Sequence, residues 1–307
     1  MKDSIYDLRL LFSFHKALEA LDVSAASTAQ VLFPESLPPL RRIGLLCGSF
    51  NPLTLAHTEL AERARVVAGL DLVLFSLAKV TVNKEHIMGL SLVDRLLLLS
   101  LYAQRHKRLG VALVNRGLYF EQAQAFRSVF GNQVELCFVV GMDKLLQILD
   151  PKYYQDRDAA LQQLFALTSL VVANRGEMAR TEFDRVLDRP ENRSYRFHIQ
   201  FCPLSEAVAD LSATAVREGL AKEKIPENCV PEETAMFLAE TRAFRPPVMI
   251  GEEEIDTYAV RQHLFNSLIA DRSHDQGTKE FQLLFQRALS EDEEGRRLRG
   301  ILLSEGR

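Results

Sequence analysis

Two short segments of the chain combine residue types that can hold a phosphorylated ligand. The first, GSFNPLTLAH at residues 48–57, joins small and turn-forming residues to a histidine, directly after an apolar run. The second, LSATAVR at residues 211–217, places two hydroxyl side chains and an arginine within two helical turns. Backbone N–H groups at a helix start, hydroxyls and a guanidinium all donate hydrogen bonds to phosphoryl oxygens. These residue types therefore indicate an anion site.

The first segment is predicted to be the turn between a buried strand and a helix. Residues 43–47 are an apolar run of strand length, residues 48–52 are rich in turn formers, and residues 57–68 are helical in pattern. Ligands of open parallel sheets bind outside the carboxyl ends of the strands, where such a turn presents its N–H groups. Gly48 would let the backbone approach a phosphate, and His57 would hydrogen-bond its oxygen. An ordinary helix N-terminus is the alternative interpretation of His57.

The second segment is predicted to begin a helix over residues 212–221. Ser212 and Thr214 fall at its start, where hydroxyls and unpaired backbone N–H groups coincide, and Arg217 follows about one turn later. Helix capping by Ser212 alone would also explain the pattern. The hydroxyl pair and the arginine together favour a clamp for a polyphosphate.

The composition favours a small anionic partner over a polymer. The chain has 307 residues, of which 47% are hydrophobic and 25% charged, as is ordinary for a folded protein with one sizeable core. Its formal net charge of −4 argues against a broad basic surface for nucleic acid. Residues 1–21 mix charges into an apolar pattern, without a cleavage site or a membrane span. We therefore expect no nucleic-acid or membrane partner, and a cytoplasmic location.

The four cysteines have no spacing that builds a metal site or a disulfide framework. They lie far apart, mostly in apolar runs that are typical of strands, at Cys47, Cys137, Cys202 and Cys229. Zinc sites of structural proteins use closely paired cysteines, which this chain lacks. The sequence therefore predicts reduced core thiols and no protein metal site.

The elements that would position the two segments alternate between strand and helix. Such alternation indicates an α/β fold with a Rossmann-like parallel sheet, covered by helices on both faces. Strands are predicted at residues 43–47, 71–78, 110–114, 134–140, 168–173 and 196–202. Helices are predicted at residues 57–68, 91–105, 119–130, 156–165 and 212–221.

Both ends of the chain are predicted to be helical additions to this sheet. Residues 1–40 would form a lead-in, in which an amphipathic helix is followed by the proline-rich break LFPESLPPL before the first strand. Residues 41–242 would hold the sheet, and paired prolines with an acidic cluster mark the boundary after them. Residues 243–307 form a predicted helical extension without a chemical motif. Packing or assembly, such as a homo-oligomer, is its expected use.

Both segments resemble motifs of the nucleotidylyltransferase superfamily, whose members join a nucleoside triphosphate to a small phosphorylated acceptor. Residues 48–57 are similar to the family's Gly-x-Phe-x-Pro turn ending in Thr-x-x-His, and residues 211–217 to its Ile-Ser-Ser-Thr-x-Ile-Arg motif, with Ala213 replacing a serine. The nicotinamide/nicotinate mononucleotide adenylyltransferases look like the closest branch, which FVVGMDKL, LVVANRGE and the lysine-containing NKEHIMGL also resemble. The resemblance spans residues 41–240.

The resemblance implies direct in-line transfer of an adenylyl group from ATP to a mononucleotide, with Mg²⁺ and release of pyrophosphate. It implies catalytic roles for His57, Lys84 and Arg217, with Lys79 as a rival lysine. The implied ATP-binding residues are Gly48, Ser49, Phe50, Asn51, Thr54, His57, Gly141, Asp143, Ser212, Thr214 and Arg217. The implied acceptor-binding residues are Asn51, Tyr119, Tyr153 and Arg175, with Phe120 and Tyr154 as alternative aromatic rings because the chain has no tryptophan.

Other functions fit the same residues. A phosphopantetheine, a flavin mononucleotide or a phospho-alcohol could serve as the acceptor, and a non-catalytic nucleotide-binding protein could use a degenerate version of the site. Asp94 and Arg95, near the start of a predicted helix, fit either the site or a solvated surface. Pyrophosphate release across a panel of acceptors separates these alternatives.

Overall fold

The structure is a computed structural model that describes residues 2–80, 89–173, 180–209, 211–224, 228–270 and 278–304. Its strands are β1 (Ala29–Phe33), β2 (Arg42–Cys47), β3 (Leu72–Ala78), β4 (Leu109–Val114), β5 (Glu135–Gly141), β6 (Thr168–Ala173), β7 (Ile199–Cys202), β8 (Val248–Ile250) and β9 (Glu253–Ile255). Its α-helices are α1 (Leu8–Ala20), α2 (Leu55–Val67), α3 (Leu92–Arg105), α4 (Tyr119–Phe130), α5 (Met142–Leu149), α6 (Arg157–Leu167), α7 (Arg180–Leu187), α8 (Glu206–Ala209), α9 (Ala213–Ala221), α10 (Glu232–Thr241), α11 (Thr257–Ala270), α12 (Thr278–Ala288) and α13 (Glu293–Ser304).

A sheet of seven strands, in the order β1-β4-β3-β2-β5-β6-β7, organises the described chain. Neighbouring strands from β4 to β7 are parallel, and β1 runs antiparallel to β4. From β2 the chain moves outward through β3 and β4, then returns to β5 on the other side of β2. The strand order therefore reverses between β2 and β5, and ligands of open α/β sheets bind at the carboxyl edge of such a point.

The central strands are buried on both faces. Every residue of β3 and β4 is buried, which is why these strands read as continuous apolar runs rather than as alternating patterns. Leu45 and Leu74 pack on one face in the same apolar cluster as Phe126 of α4, whereas Leu46 and Phe75 pack on the opposite face. Because successive side chains of a strand point to opposite faces, one sheet builds two cores. The predicted Rossmann-like α/β fold with helices on both faces is confirmed.

The proline-rich lead-in contains a strand, β1, so its interpretation as only a break between helix and sheet is wrong. β1 pairs with β4 in an irregular register that shifts between Val31 and Phe33. Its residues are only partly buried or exposed. An edge strand pairs on one side only, so it needs no continuous apolar run and leaves a weak hydrophobic signal.

The last strand of the sheet is shorter than the predicted 196–202, because a 3₁₀ helix at Arg193–His198 precedes β7. Tyr195 is 5% exposed and stacks on Phe165 at 5.4 Å between ring centroids, whereas Phe197 is 97% exposed. In the sequence, large apolar side chains stand at every second position, at Tyr195, Phe197, Ile199 and Phe201, so the stretch has the period of a strand although it begins as a 3₁₀ helix. Helices α5, α7 and α10 also lie in stretches for which the sequence predicted no element.

The two ends of the chain pack together over α3. Tyr6 contacts Phe281 and Phe285 at 5.6 and 6.0 Å between ring centroids, and Phe12 contacts Phe265 at 5.8 Å. These rings continue the apolar cluster that covers one face of the sheet. The division of the chain at residues 40 and 242 stays a prediction. In the described ranges, no helix has the length and apolar character needed to cross a bilayer.

Candidate active site

The turn that follows β2 is folded tightly on itself. The Gly48 N–H donates to the Ser76 carbonyl at the end of β3, at 3.2 Å. Phe50 is 1% exposed with a φ of +44°, and its ring lies under Gly48, where a Cβ would stand 2.9 Å from Phe50 Cζ. Carbon atoms do not approach so closely, so only glycine fits at position 48 without a shift of the ring. The backbone above the ring is therefore free of any side chain at that position.

His57 closes the end of the same turn. Thr54 is the N-cap residue of α2, and its N–H donates to His57 Nδ1 at 3.1 Å, while its Oγ1 lies 2.8 Å from the same nitrogen. The ring also packs edge-on against Phe50, at 5.2 Å between centroids. Because Nδ1 accepts the Thr54 N–H, the neutral ring carries its proton on Nε2. This capping arrangement fixes the histidine and makes Nε2 a hydrogen-bond donor.

Asn51 joins the turn to two other parts of the chain. Its side chain is fully buried, and Oδ1 accepts from the Leu90 N–H at 3.0 Å, just before α3. Its main-chain carbonyl accepts from Arg217 Nη1 at 2.6 Å. Gly89 lies directly against the carboxamide, where a Cβ would stand 2.4 Å from Asn51 Nδ2. Nδ2 itself is buried without a hydrogen-bond partner in the described part of the chain.

The start of α9 carries the second sequence motif to this turn. Ser212 is the N-cap and its Oγ accepts from the Ala215 N–H at 3.1 Å, so the capping role expected of it is present. Thr214 is exposed and its Oγ1 accepts from Arg217 Nη2 at 3.1 Å. Arg217 therefore bridges its own helix start and the turn after β2. The fork of the guanidinium holds both bonds at once.

Arg95 approaches the turn from a third direction. It is 6% exposed, and its Nε donates to the Leu90 carbonyl at 2.7 Å, while Nη1 lies 3.5 Å from the Ser49 carbonyl. Burial lowers the pKa of the Arg95 guanidinium, and the nearby positive charge of Arg217 lowers it further. Two cations close enough to disfavour each other make a location where an anion is stabilised.

The end of β5 lies beside β2 across the switch point. Gly141 is the N-cap residue of α5. The Asp143 side chain folds back over it, as shown by the distance of 2.6 Å between Asp143 Oδ1 and the position that a Cβ on Gly141 would take. Tyr119, at the start of α4, packs edge-on against Phe138 at 5.0 Å between centroids. Burial raises the pKa of the Tyr119 phenol, with smaller contributions from Cys47 and Asp143, which therefore lie near it.

Gln122 joins three chain segments at this edge, although no pattern in the sequence singles it out. Its Oε1 accepts from Cys47 Sγ and from Ser76 Oγ, at 3.1 Å each, and its Nε2 donates to the Gly117 carbonyl at 3.0 Å. Gln122 is 4% exposed in a helix whose inner positions are otherwise apolar. A buried amide with all three bonds satisfied fixes the ends of β2 and β3 relative to α4.

The remaining predicted site residues are placed apart from the turn or are not described. Lys79 donates from Nζ to the Leu18 and Leu21 carbonyls at 2.6 and 2.7 Å, so this rival lysine caps the end of α1. Tyr153 is 51% exposed beyond the far end of α5, with the Lys152 ammonium 4.9 Å from its ring centre. The alternative ring Tyr154 donates to the Ile148 carbonyl at 2.7 Å. Lys84 and Arg175 lie outside the described residues.

Arg95, Arg217 and His57 thus contact the backbone of one short turn, at residues 49, 51 and 54 respectively. The turn stands at the carboxyl end of the first core strand and leads into a helix N-terminus, whose dipole favours negative charge. Such a group of donors can bind the oxygens of a polyphosphate and stabilise charge that spreads over them.

Comparisons with known proteins match the part of the chain that contains both sequence segments. A family model described as cytidylyltransferase-like matches residues 45–219. The chain is 28% identical over 222 residues to a curated protein of Trichlorobacter lovleyi named "Probable nicotinate-nucleotide adenylyltransferase", covering 67% of this chain and 100% of that protein. It is 27% identical over 207 residues to a protein of Bordetella parapertussis with the same name, covering 66% of this chain and 98% of that protein.

Solved structures share the fold at low sequence identity. Nicotinic acid mononucleotide adenylyltransferase of Plasmodium falciparum, complexed with APC, has a TM-score of 0.50 at 11% identity, over 66% of this chain and 97% of that one. The same protein complexed with NaAD has a TM-score of 0.50 at 12% identity, over 65% and 95% of the two chains. At such identities the likeness concerns the fold.

Proposed function

This chain belongs to the cytidylyltransferase-like family and is a nucleotidyltransferase, and from that premise we propose that it transfers the adenylyl group of ATP to nicotinate mononucleotide. The products are the nicotinic acid dinucleotide and pyrophosphate. The names of the curated relatives favour nicotinate over nicotinamide as the ring of the acceptor. The cytoplasmic location and a homo-oligomeric state stay predictions from the sequence.

The convergence of Arg217 and His57 on one turn carries the proposal. Arg217 bonds the Asn51 carbonyl at 2.6 Å, and His57 bonds the Thr54 N–H three residues further on at 3.1 Å. Two motifs that lie far apart in the sequence thereby face one location at the switch point of the sheet. A triphosphate is long enough to engage both, because its charged oxygens extend over several ångströms.

The chemistry that this arrangement supports is a direct displacement. A phosphate oxygen of the acceptor attacks the α-phosphorus of ATP, a new P–O bond forms, and the bond to pyrophosphate breaks. His57 Nε2–H would donate to an α-phosphoryl oxygen, where negative charge develops. Arg217 and the N-terminus of α9 would hold the β- and γ-phosphates. Positioning and electrostatic stabilisation suffice for such a reaction, so no covalent nucleophile of the protein is needed.

Mg²⁺ would enter this site on the triphosphate. Among the described residues there is no group of three or more His, Cys, Asp or Glu side chains that could hold a metal ion. The candidate site suits Mg²⁺ without such a group. This ion usually retains several waters and binds through substrate phosphates and one or two carboxylates. Asp143, an exposed carboxylate that folds over Gly141 beside the switch point, is the side chain we propose for that contact. Held there with the triphosphate, the ion would supply positive charge to the leaving pyrophosphate.

The test is pyrophosphate release by the purified chain with Mg²⁺ and one nucleotide at a time. ATP with nicotinate mononucleotide should give the highest turnover, ATP with nicotinamide mononucleotide less, and CTP little, although the family is named for cytidylyl transfer. Flavin mononucleotide and 4′-phosphopantetheine complete the panel. Turnover with only another acceptor would show that nicotinate mononucleotide is not the substrate. Binding of ATP without turnover with any acceptor would contradict the enzymatic function and favour a nucleotide-binding protein.

A further inference from the structure

The C-terminal helices reach the candidate site through a buried polar network on α11. Arg261 is 1% exposed and donates from Nη2 to Asp94 Oδ1 of α3 at 3.0 Å. Tyr258, almost one helical turn earlier, donates from its hydroxyl to Asp94 Oδ2 at 2.8 Å. This helix lies beyond residues 45–219, the part of the chain that the family model matches. A buried ion pair has a desolvation cost that an apolar contact would avoid. The presence of the Arg261–Asp94 pair therefore favours a positional role over a purely stabilising one.

The same tyrosine holds the segment that leads into α3. The Ser91 N–H donates to the Tyr258 hydroxyl at 2.8 Å. The carbonyl of this same peptide, that of Leu90, accepts from Arg95 Nε at 2.7 Å. The N–H of the preceding peptide, that of Leu90, donates to Asn51 Oδ1 at 3.0 Å. Two successive peptides therefore join the C-terminal helix on one side to the turn after β2 on the other.

Arg261 is itself held from several sides. Its Nη2 also donates to the Ile5 carbonyl at 2.8 Å. Its guanidinium carbon lies 5.6, 5.1 and 5.0 Å from the ring centres of Tyr6, Phe237 and Phe281. Contacts from both ends of the chain therefore determine where this cation sits, and through it where the α3 carboxylate sits. A cation surrounded by ring faces and hydrogen bonds has little freedom to move.

We propose that Tyr258 and Arg261 are positioning residues of the nucleotide site. They hold residues 89–91, and through Asn51 and Arg95 they hold the turn at residues 48–54 in the conformation that binds a triphosphate. The mention of a triphosphate rests on the proposed function. The coupling between α11 and the turn rests on the hydrogen bonds alone.

Tyr258→Phe tests the coupling because it removes one hydroxyl and keeps the ring. Tyr6→Phe is the matched control: Tyr6 is as buried, its ring faces the same Arg261, but its hydroxyl bonds Glu240 at 3.5 Å rather than α3. Hydrogen–deuterium exchange of the full chain, read by mass spectrometry, is the first measurement. Tyr258→Phe should speed exchange in peptides covering residues 89–96 and 48–57, and Tyr6→Phe should leave both unchanged. Equal exchange at residues 48–57 in both variants would overturn the proposal.

Steady-state kinetics supply the second measurement. Tyr258→Phe should raise KM for ATP about fivefold to tenfold, as expected for the loss of one or two buried hydrogen bonds, with a smaller change in kcat. Tyr6→Phe should leave KM for ATP near the wild-type value at a comparable melting temperature. A purely structural role would move the melting temperature in both variants without this difference in KM.

A second pair of variants covers the case in which Tyr258→Phe does not fold. Asp94→Asn keeps the shape of the side chain, and Glu233→Gln is its control, since Glu233 is 3% exposed and pairs with Arg105 at the other end of α3. The same two measurements apply, and unchanged exchange at residues 48–57 in Asp94→Asn would again overturn the coupling. If the wild type neither binds nor uses ATP, the proposed function fails, while the exchange data still decide the coupling.

Discussion

Arg217 Nη1 donates a hydrogen bond of 2.6 Å to the main-chain carbonyl of Asn51, across 166 residues of chain. This bond joins the N-terminus of α9 to the turn after β2, so the anion donors of two helices face the same space. The bond to Asn51 uses Nη1 of the guanidinium, while Nη2 donates to Thr214 Oγ1. In the proposed site these groups are already held in place by the protein, and such preorganisation reduces the cost of ordering them on binding.

Replacing His57 with alanine should abolish most turnover and retain ATP binding. The imidazole is fixed by the Thr54 N–H at 3.1 Å, so its Nε2 donor is in place for the transition state. By analogy with lost oxyanion-hole donors, we expect turnover to fall about a hundredfold or more. Stopped assays of pyrophosphate release and calorimetric binding of ATP measure the two quantities. His15→Ala, on the outer helix α1, is the control, and near-normal turnover of His57→Ala would remove the assigned role.

Replacing Arg217 with lysine should weaken ATP binding, although the charge is kept. A lysine has one ammonium group and cannot bond Asn51 O and Thr214 Oγ1 in a planar fork. We expect KM for ATP to rise about tenfold, which corresponds to the loss of one good charged hydrogen bond. Arg185→Lys, at an exposed position of α7, should change nothing. Equal KM values for both variants would contradict this prediction.

Replacing Gly48 with alanine should damage both stability and activity. The added Cβ would stand 2.9 Å from the Phe50 ring, which is 1% exposed and has no room to retreat. Overpacking of this kind lowers the free energy of unfolding by about 1–3 kcal/mol. Gly300→Ala is the control, because a Cβ there meets nothing within 4 Å and the residue lies in α13. Urea denaturation should show the first variant weakened and the second one equal or slightly stabilised.

The Cys47 thiol should resist alkylation at pH 8 in the folded chain. Burial raises its pKa to about 12, so very little of the thiol is ionised at that pH. Iodoacetamide labelling followed by peptide mass spectrometry should leave Cys47 unmodified, and labelling in guanidinium should modify it fully. Rapid labelling of Cys47 in the folded chain would contradict the prediction.

The same shift predicts how this thiol affects stability with pH. The pKa of the thiol is higher in the folded than in the unfolded chain. Its contribution to the free energy of unfolding is therefore fully present below pH 9.0 and is lost as the pH rises towards about 12. A Cys47→Ser variant should therefore show a weaker loss of stability between pH 9 and pH 11 than the wild type, measured by urea denaturation. An identical pH dependence in both proteins would contradict this expectation.

Replacing Gln122 with alanine should loosen the carboxyl edge of the sheet. The amide bonds Cys47, Ser76 and the Gly117 carbonyl, and its removal takes a hydrogen-bond partner from each of these buried or half-buried groups. We expect the free energy of unfolding to fall by about 2–3 kcal/mol, with reduced turnover, because the ends of β2 and β3 carry the turn. Gln124→Ala, exposed on the same helix, is the control. Thermal melting and the pyrophosphate assay test both effects.

The sheet was predictable because its strands are buried on both faces. Residues 72–78 and 109–114 are buried throughout and, apart from Ser76, contain no polar side chain, and such runs between amphipathic helices leave few alternatives to a parallel α/β fold. β1 was missed because an edge strand needs no such run, and α5 because its eight residues follow β5 without a loop. Short elements carry too few residues for a periodic signal.

The candidate site was predictable only in its two motifs. His57 and Arg217 stand in patterns of residue type that suggest a phosphate site without any structure. Gln122 and Tyr258 carry no such pattern, since a glutamine or a tyrosine in a helix is usually a surface or packing residue. Their roles depend on which distant groups the fold brings to them, at Cys47 and Ser76 in one case and at Asp94 in the other.

The sequence by itself determined the strand–turn–helix that presents Gly48 and His57, because turn chemistry and capping act between residues a few positions apart. It also determined the fold class, because apolar strands that alternate with helices are buried when the helices cover both faces of a parallel sheet. Only the tertiary structure decided that Arg217 would meet Asn51 and that Tyr258 would reach the start of α3. The residues in these two contacts are separated by 166 and 167 positions of sequence. The contacts form because the packing of the whole sheet and its helices fixes their geometry. No local sequence pattern specifies that packing.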